Sequence, residues 1–268
     1  MSGTWTVTGK SVQGASHRRR KLPNQDAVCW RSGAEGRVAV SVADGHGSPA
    51  CFRSGDGARL AVETATELLM EMTEEVPAGG ATWMAKELVR RWRAAVERDA
   101  AANPLPSPAA KPRAVWQIYG CTLLAVSARR DASGTDRIRM IQIGDGDLLL
   151  ISGDGSVRRP WPRDPNLLGD QTTSMSGQNA WRDIRIAFLE TDDPPELILL
   201  ATDGYSNSYS RDEGFLRVGT DLMQSIRAEG LPSVEAHLEE WLDETSRLGS
   251  GDDITVGLAA RKGELRAG

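Results

Sequence analysis

The sequence predicts an α+β fold in which antiparallel sheets are covered by helices. Two observations carry this. Hydrophobic periodicity runs strands, two helices, strands, two helices, strand, and segregated runs of this kind favour antiparallel sheets over alternating βαβ units. Three apolar strands also end in Asp-Gly, at Asp44, Asp145 and Asp203, which places acidic side chains at strand ends. With 268 residues, 40% hydrophobic and 26% charged, the composition is that of an ordinary globular protein. A chain this long buries roughly 75% of its unfolded surface and needs no disulfide or metal staple to fold. A single domain over residues 1–268 is expected.

Each element has its own signal. Residues 4–12 alternate around Trp5 and Val7, residues 27–31 are short and apolar, and residues 37–43 (RVAVSVA) are rich in valine. The period then changes. Between Gly57 and Met72 the apolar residues Ala58, Ala61, Ala65, Leu68, Leu69 and Met72 recur at helical spacing. A second helix sets Ala85, Leu88, Trp92 and Ala95 on one face. Four prolines in residues 103–112 mark a loop, read as lying within one domain because nothing after it resembles an independent core. Strands are expected at 115–128, 137–143 and 148–152, the last two joined as a hairpin at Asp145-Gly146. Residues 160–180 are irregular and polar. Strands resume at 184–189 and 196–201. One helix then ends at Gly230, and another starts near Ser233, a plausible N-cap after Pro232. A strand at 254–260 closes the chain, and no internal repeat is present.

The composition also excludes partners. A net charge of −5 without a long basic stripe argues against nucleic acid. Cys29, Cys51 and Cys121 lie far apart, show no metal-ligand spacing and suit a reducing compartment. The first residues lack a basic segment followed by an apolar one, and no apolar run reaches membrane-spanning length. A cytoplasmic monomer, without membrane contact, is expected.

The acidic residues bring chemistry into view. Asp-Gly is a common turn dipeptide, because glycine supplies φ > 0 and Asp bonds its own backbone. At Asp145 the hairpin is a sufficient explanation. At Asp44 and Asp203 the chain leads into irregular or helical stretches, and Asp252-Asp253 precedes the last strand. If those strands are neighbours, the carboxylates converge and repel unless cations intervene. Hard oxygen donors, in a chain with three histidines, favour Mg²⁺ or Mn²⁺ over zinc. Two such ions lower the pKa of a shared water and clamp a phosphoryl group. No cysteine is followed by arginine six residues later, which argues against a thiol phosphatase.

Six segments occur in order: PNQDAV (23–28), VADGHGS (42–48), GCTLLAV (120–126), IGDGDLLL (143–150), ATDGYSNS (201–208) and GDDITV (251–256). Together they resemble the metal-dependent serine/threonine protein phosphatases, the PPM or type 2C family, in its bacterial form, from about residue 5 to 261. The resemblance implies a four-layer α-β-β-α sandwich, two antiparallel sheets flanked by helices. It implies two Mn²⁺ or Mg²⁺ ions, with a third in some relatives, and a phosphoprotein substrate made by a serine/threonine kinase. Asp44 would bridge two metals, the Gly45 carbonyl would complete the second site, and Asp203 and Asp252 would ligate the first. Asp145 would help Asp203 hold the third. His46 would be the general acid that protonates the leaving alkoxide. Gln25 and Asp26 would act through metal-bound water.

Departures from the family pattern matter as well. Gln25 stands where Glu is usual. Lys21 replaces the arginine expected three residues before Asn24, with His17, Arg18, Arg19 and Arg20 as neighbouring cations. This HRRRK group reads either as a solvated basic loop or as the phosphate grip, with His17, Arg20 and Lys21 as candidates. Asp147 stands where arginine is common, and Asp253 where asparagine is. Trp83, Trp92 and Trp241 are expected in the core, whereas Trp161 and Trp181 are candidates for peptide contact. Two rivals remain: a pseudophosphatase that binds phosphoproteins without hydrolysing them, and a haloacid-dehalogenase-type phosphatase using Asp145 and Asp147. Leu149 and the hairpin context argue against the second.

Overall fold

The computed structural model describes residues 3–72, 79–104, 114–162 and 172–262. In chain order the elements are β1 (Trp5–Val12), α1 (Ala15–Arg20), β2 (Ala27–Ser32), β3 (Val38–Ala43), α2 (Ser54–Glu71), α3 (Gly80–Ala102), β4 (Leu123–Arg130), β5 (Asp136–Ile143) and β6 (Asp147–Ile151). There follow β7 (Val157–Arg158), α4 (Ala180–Asp183), β8 (Arg185–Thr191), β9 (Leu197–Ala201), α5 (Asp203–Ser206), α6 (Asp212–Glu229), α7 (Leu231–Leu248) and β10 (Ile254–Arg261).

The strands form two five-stranded sheets, ordered β1-β10-β9-β6-β7 and β2-β3-β4-β5-β8. Every pairing is antiparallel. Three apolar layers follow from this arrangement. Val38, Val40, Val42, Leu124, Leu148 and Leu200 meet between the sheets. On the outer face of the second sheet, Ala39 and Ala43 pack with Leu68, Leu88 and Trp92 of α2 and α3. On the outer face of the first, Leu199 and Val256 pack with Phe215, Leu238 and Leu242 of α6 and α7. The result is an α-β-β-α sandwich. Every residue of β3 is buried, alternately toward the other sheet and toward the helices, so its apolar run lacks the polar alternation of a one-sided strand.

Several expectations change. Residues 115–128 are not one strand: Val115–Tyr119 is a 3-10 turn, and β4 begins at Leu123. Asp145-Gly146 does not close a hairpin, because β5 and β6 belong to different sheets. Residues 144–146 instead carry the chain across the sandwich, with Gly144 at φ 96°. Ser233 is not an N-cap. Gly230, at φ 85°, precedes α7, Pro232 sits in its first turn, and the Ser233 hydroxyl donates to Glu229 at 2.9 Å. Trp83 is 48% exposed rather than core, whereas Trp92 is fully buried and donates Nε1–H to the Gly57 carbonyl at 3.1 Å. Trp241 is partly buried against the α6–α7 layer. Helix α1 carries no apolar periodicity of its own and escaped sequence reading. Most of the proline-rich segment 103–112, and residues 163–171 of the irregular segment, lie outside the described residues.

Candidate metal centre

One edge of the sandwich collects the acidic strand ends. Asp44 follows the last residue of β3, Asp203 lies just after β9, and Asp252 lies just before β10, which is the neighbour of β9. Asp145 arrives on the crossing between sheets. Backbone bonds hold these positions. Asp44 accepts from Thr122 N at 2.8 Å and donates its own N–H to Thr122 Oγ1 at 3.1 Å. Gly45 N donates to the Gln25 carbonyl at 3.2 Å, and His46 N to the Gly120 carbonyl at 3.0 Å. Thr202 donates its hydroxyl to Asp26 Oδ2 at 2.7 Å while receiving Thr255 N at 2.9 Å. Asn207 Nδ2 donates to Asp203 Oδ2 at 2.9 Å.

The glycines explain themselves by space. A Cβ on Gly204 would lie 2.1 Å from the Asp253 carbonyl oxygen, and one on Gly45 would lie 2.7 Å from the Gln25 and Ser54 carbonyl oxygens. Neither glycine has positive φ. These Asp-Gly pairs are thus points where two backbones touch, not turns that need left-handed geometry.

The electrostatics are those of crowded anions. Burial, then the charges of Asp26, Asp203, Asp252 and Asp145, hold the Asp44 carboxyl well above its ordinary range. Burial pushes Asp203 up to about 6, with Asp145 and Asp252 adding to the rise, and Asp44 shares a side-chain hydrogen bond with it. Burial likewise pushes Asp26 up to about 8, against the hydrogen bond from Thr202. Carboxyl groups that oppose each other's ionisation fit a divalent cation, which would remove the repulsion, and a purely oxygen donor set fits Mg²⁺ or Mn²⁺. Among the described residues no three His, Cys, Asp or Glu side chains close on one point as a finished coordination sphere would.

His46 packs at the rim. Its Cδ2 would lie 2.8 Å from a Cβ on Gly120, so that glycine makes room for the ring. Burial lowers the imidazole pKa, and the Asp145 charge opposes the shift. Gln25 donates its side-chain amide to Ser54 Oγ at 2.9 Å and its backbone N–H to Asp253 Oδ2 at 2.7 Å.

The basic group 17–21 is mostly helix. Arg18 pairs with Asp243 at 2.6 Å, while Arg20 and Lys21 stay exposed at the end of α1, where Lys21 adopts φ 56°. His17 points inward. Its Nδ1 lies 2.9 Å from Asp253 Oδ2 and its Nε2 3.5 Å from Asp252 Oδ1. The first contact is close but not directed as a hydrogen bond. Asp253, buried and bonded to Gly14 N at 2.6 Å, was visible in the sequence only as a substitute for asparagine. Thr202, Ser54 and Ser246 gave no sequence signal, since a small hydroxyl residue is common in any loop.

Asp147 lies elsewhere. It is buried against Arg159 Nε at 2.6 Å, and Arg159 also grips Asp212 at 2.6 and 2.9 Å. That pairing leaves Asp147 no free carboxylate for the dehalogenase-type role. Trp181 lies under Lys86 and Arg182, and Trp161 beside Arg185.

A cavity of about 1390 Å³ lies at the opposite end of the first sheet, by Leu197, Ala260 and the start of α7. Arg227 there pairs with Glu196 at 2.7 Å and Arg130 with Asp136 at 2.6 Å, and none of Asp44, Asp145, Asp203 or Asp252 lines it.

A family profile described as protein phosphatase 2C matches residues 13–243. No curated protein matches the sequence. Among solved structures, a bacterial serine phosphatase superposes with a TM-score of 0.61 at 14% identity, covering 96% of this chain and 98% of that one. A serine/threonine phosphatase of S. agalactiae gives 0.59 at 16% identity, with 96% and 99% covered. A sex-determining protein of C. elegans gives 0.62 at 14%, and there 96% of this chain spans 65% of the longer protein. At such identities the superpositions establish the sandwich, and the profile, spanning most of the chain and every acidic strand end except Asp252, establishes descent: this chain belongs to the protein phosphatase 2C family.

Proposed function

We propose that the chain hydrolyses phosphoserine and phosphothreonine in proteins, using two divalent cations, Mn²⁺ or Mg²⁺, held at the acidic edge. The observation that carries this is the gathering of Asp44, Asp203 and Asp26 at one edge, where burial and then the neighbouring carboxylates raise their pKa values, a state that cations among them would relieve. Asp44 and the Gly45 carbonyl would hold the second ion, with Asp44, Asp203 and Asp252 at the first. Asp145 would join Asp203 at a third. The bound ions supply a water of lowered pKa and neutralise phosphoryl charge.

The protein's own groups do the rest. Asp26, held by Thr202, and Gln25, held by Ser54, stand beside the acidic edge to orient water. His46, with a pKa lowered by burial, donates a proton readily once protonated and suits a serine or threonine alkoxide, a poor leaving group unaided. Arg20 and Lys21, exposed at the end of α1, are the cations proposed for the phosphate, with His17 on the same helix.

The test is Mn²⁺-dependent release of phosphate from a phosphothreonine peptide. Wild type should be active, and Asp44→Ala and Asp203→Ala should each lose on the order of 10²-fold or more, as loss of a group acting at the reacting centre does. Folded wild-type protein inactive with every divalent cation would instead favour the pseudophosphatase reading. That reading is motivated by Gln25, whose neutral amide is spent on Ser54.

A further inference from the structure

Helix α1 is docked on the loop that bears Asp252, donor by donor. Gly14 N donates to Asp253 Oδ1 at 2.6 Å, Ala15 N to Ser246 Oγ at 3.0 Å, and Ser16 N to the Gly251 carbonyl at 2.7 Å. Ser246 in turn donates to the Asp252 carbonyl at 2.8 Å. The approach is so close that a Cβ on Gly14 would lie 2.4 Å from the Asp252 carbonyl carbon. The backbone donors that open a helix lack partners within the helix. Here they clasp the 246–253 loop. The next residue, His17, sends its imidazole between the two carboxylates of that loop, 3.5 Å from Asp252 and 2.9 Å from Asp253.

The two acids differ in freedom. Asp253 accepts hydrogen bonds from Gly14 N and, at 2.7 Å, from Gln25 N, packs against the imidazole, and has a side chain 3% exposed. The Asp252 side chain is 51% exposed, with its Oδ1 receiving Asp253 N at 2.9 Å. An exposed carboxylate on a loop has rotamers to lose when it ligates a cation. A neighbour that limits those rotamers beforehand raises affinity, as outer partners of metal ligands do.

We propose that His17 is a positioning residue for the metal ligand Asp252, with Asp253 fixing the imidazole in place. The inference rests on the reading of Asp252 as a ligand. It assigns the asparagine-to-aspartate change at 253 and the histidine at 17 to one device: the carboxylate of Asp253 braces the ring that orients the ligand. Three side chains from two distant parts of the chain then act as a unit.

Calorimetric titration of the metal-free, full-length protein with Mn²⁺ tests this, alongside thermal melting of each metal-free variant. His17→Ala should weaken Mn²⁺ binding by about 10- to 100-fold, with the metal-free melting temperature within a few degrees of wild type. His17→Gln, which keeps an N–H of similar reach, should recover most of the affinity. Affinity of His17→Ala within twofold of wild type would overturn the proposal, as would a loss matched by an equal fall in metal-free stability. Wild-type protein that binds no Mn²⁺ would sink the metal reading itself, a result distinct from a wild type that binds and a variant that binds equally well.

Discussion

His46 shows how little a single residue type says and how much its setting adds. Its N–H is held by Gly120, its ring lies over that glycine, and burial lowers its pKa. A general acid matters in proportion to how poor the leaving group is. His46→Ala should therefore cut hydrolysis of a phosphoserine peptide by on the order of 10²-fold or more, yet barely slow p-nitrophenyl phosphate, whose leaving group needs no proton. Equal losses on both substrates would remove the assignment. Asp145 teaches the opposite lesson. Its Asp-Gly pair looked like a hairpin, yet the positive φ belongs to Gly144, and the link crosses between sheets. Local turn chemistry was legible there; the partner of each strand was not.

At the scale of elements, the contact between the 203–204 turn and the 251–253 loop governs the site. Gly204 touches the Asp253 carbonyl, and Ser250 Oγ donates to the Gly204 carbonyl at 2.8 Å. Gly204→Ala would place a methyl group against backbone, which cannot swing aside as a side chain can. It should destabilise the fold by roughly 1–3 kcal/mol in denaturant melts and weaken Mn²⁺ binding by parting Asp203 from Asp252. Wild-type stability and affinity together would show that the loops are not mutually constrained. The helical faces were readable, since Ala85, Leu88, Trp92 and Ala95 are all buried as their spacing predicts. Helix α1 was not, because a run of histidine and arginines has no apolar stripe and its stability comes from docking on the 246–253 loop.

The molecule as a whole stores its acidic edge at a cost in stability when no cation is present. A carboxylate whose folded pKa lies above its unfolded value contributes stability that is complete below the unfolded value and is lost as pH rises through the folded one. For Asp203, raised to about 6, and Asp26, raised to about 8, that window opens near the ordinary carboxylate range and closes near the higher value. The metal-free melting temperature should thus fall between about pH 4 and pH 8. Asp26→Asn should flatten the fall, and Mn²⁺ should reverse it by favouring the ionised carboxylates. Superimposable profiles for wild type and Asp26→Asn would refute the link. By itself, the sequence determined the α+β class, the helix faces, most strand cores and the identity of the acidic residues, because periodicity and residue chemistry are local properties. Only the tertiary structure decided which strands share a sheet, that Asp44, Asp203 and Asp252 meet at one edge, and that His17 faces Asp252 and Asp253. Those relations join residues distant in sequence, His17 and Asp252 by more than 200 positions, and no local pattern encodes them; packing between the two sheets does.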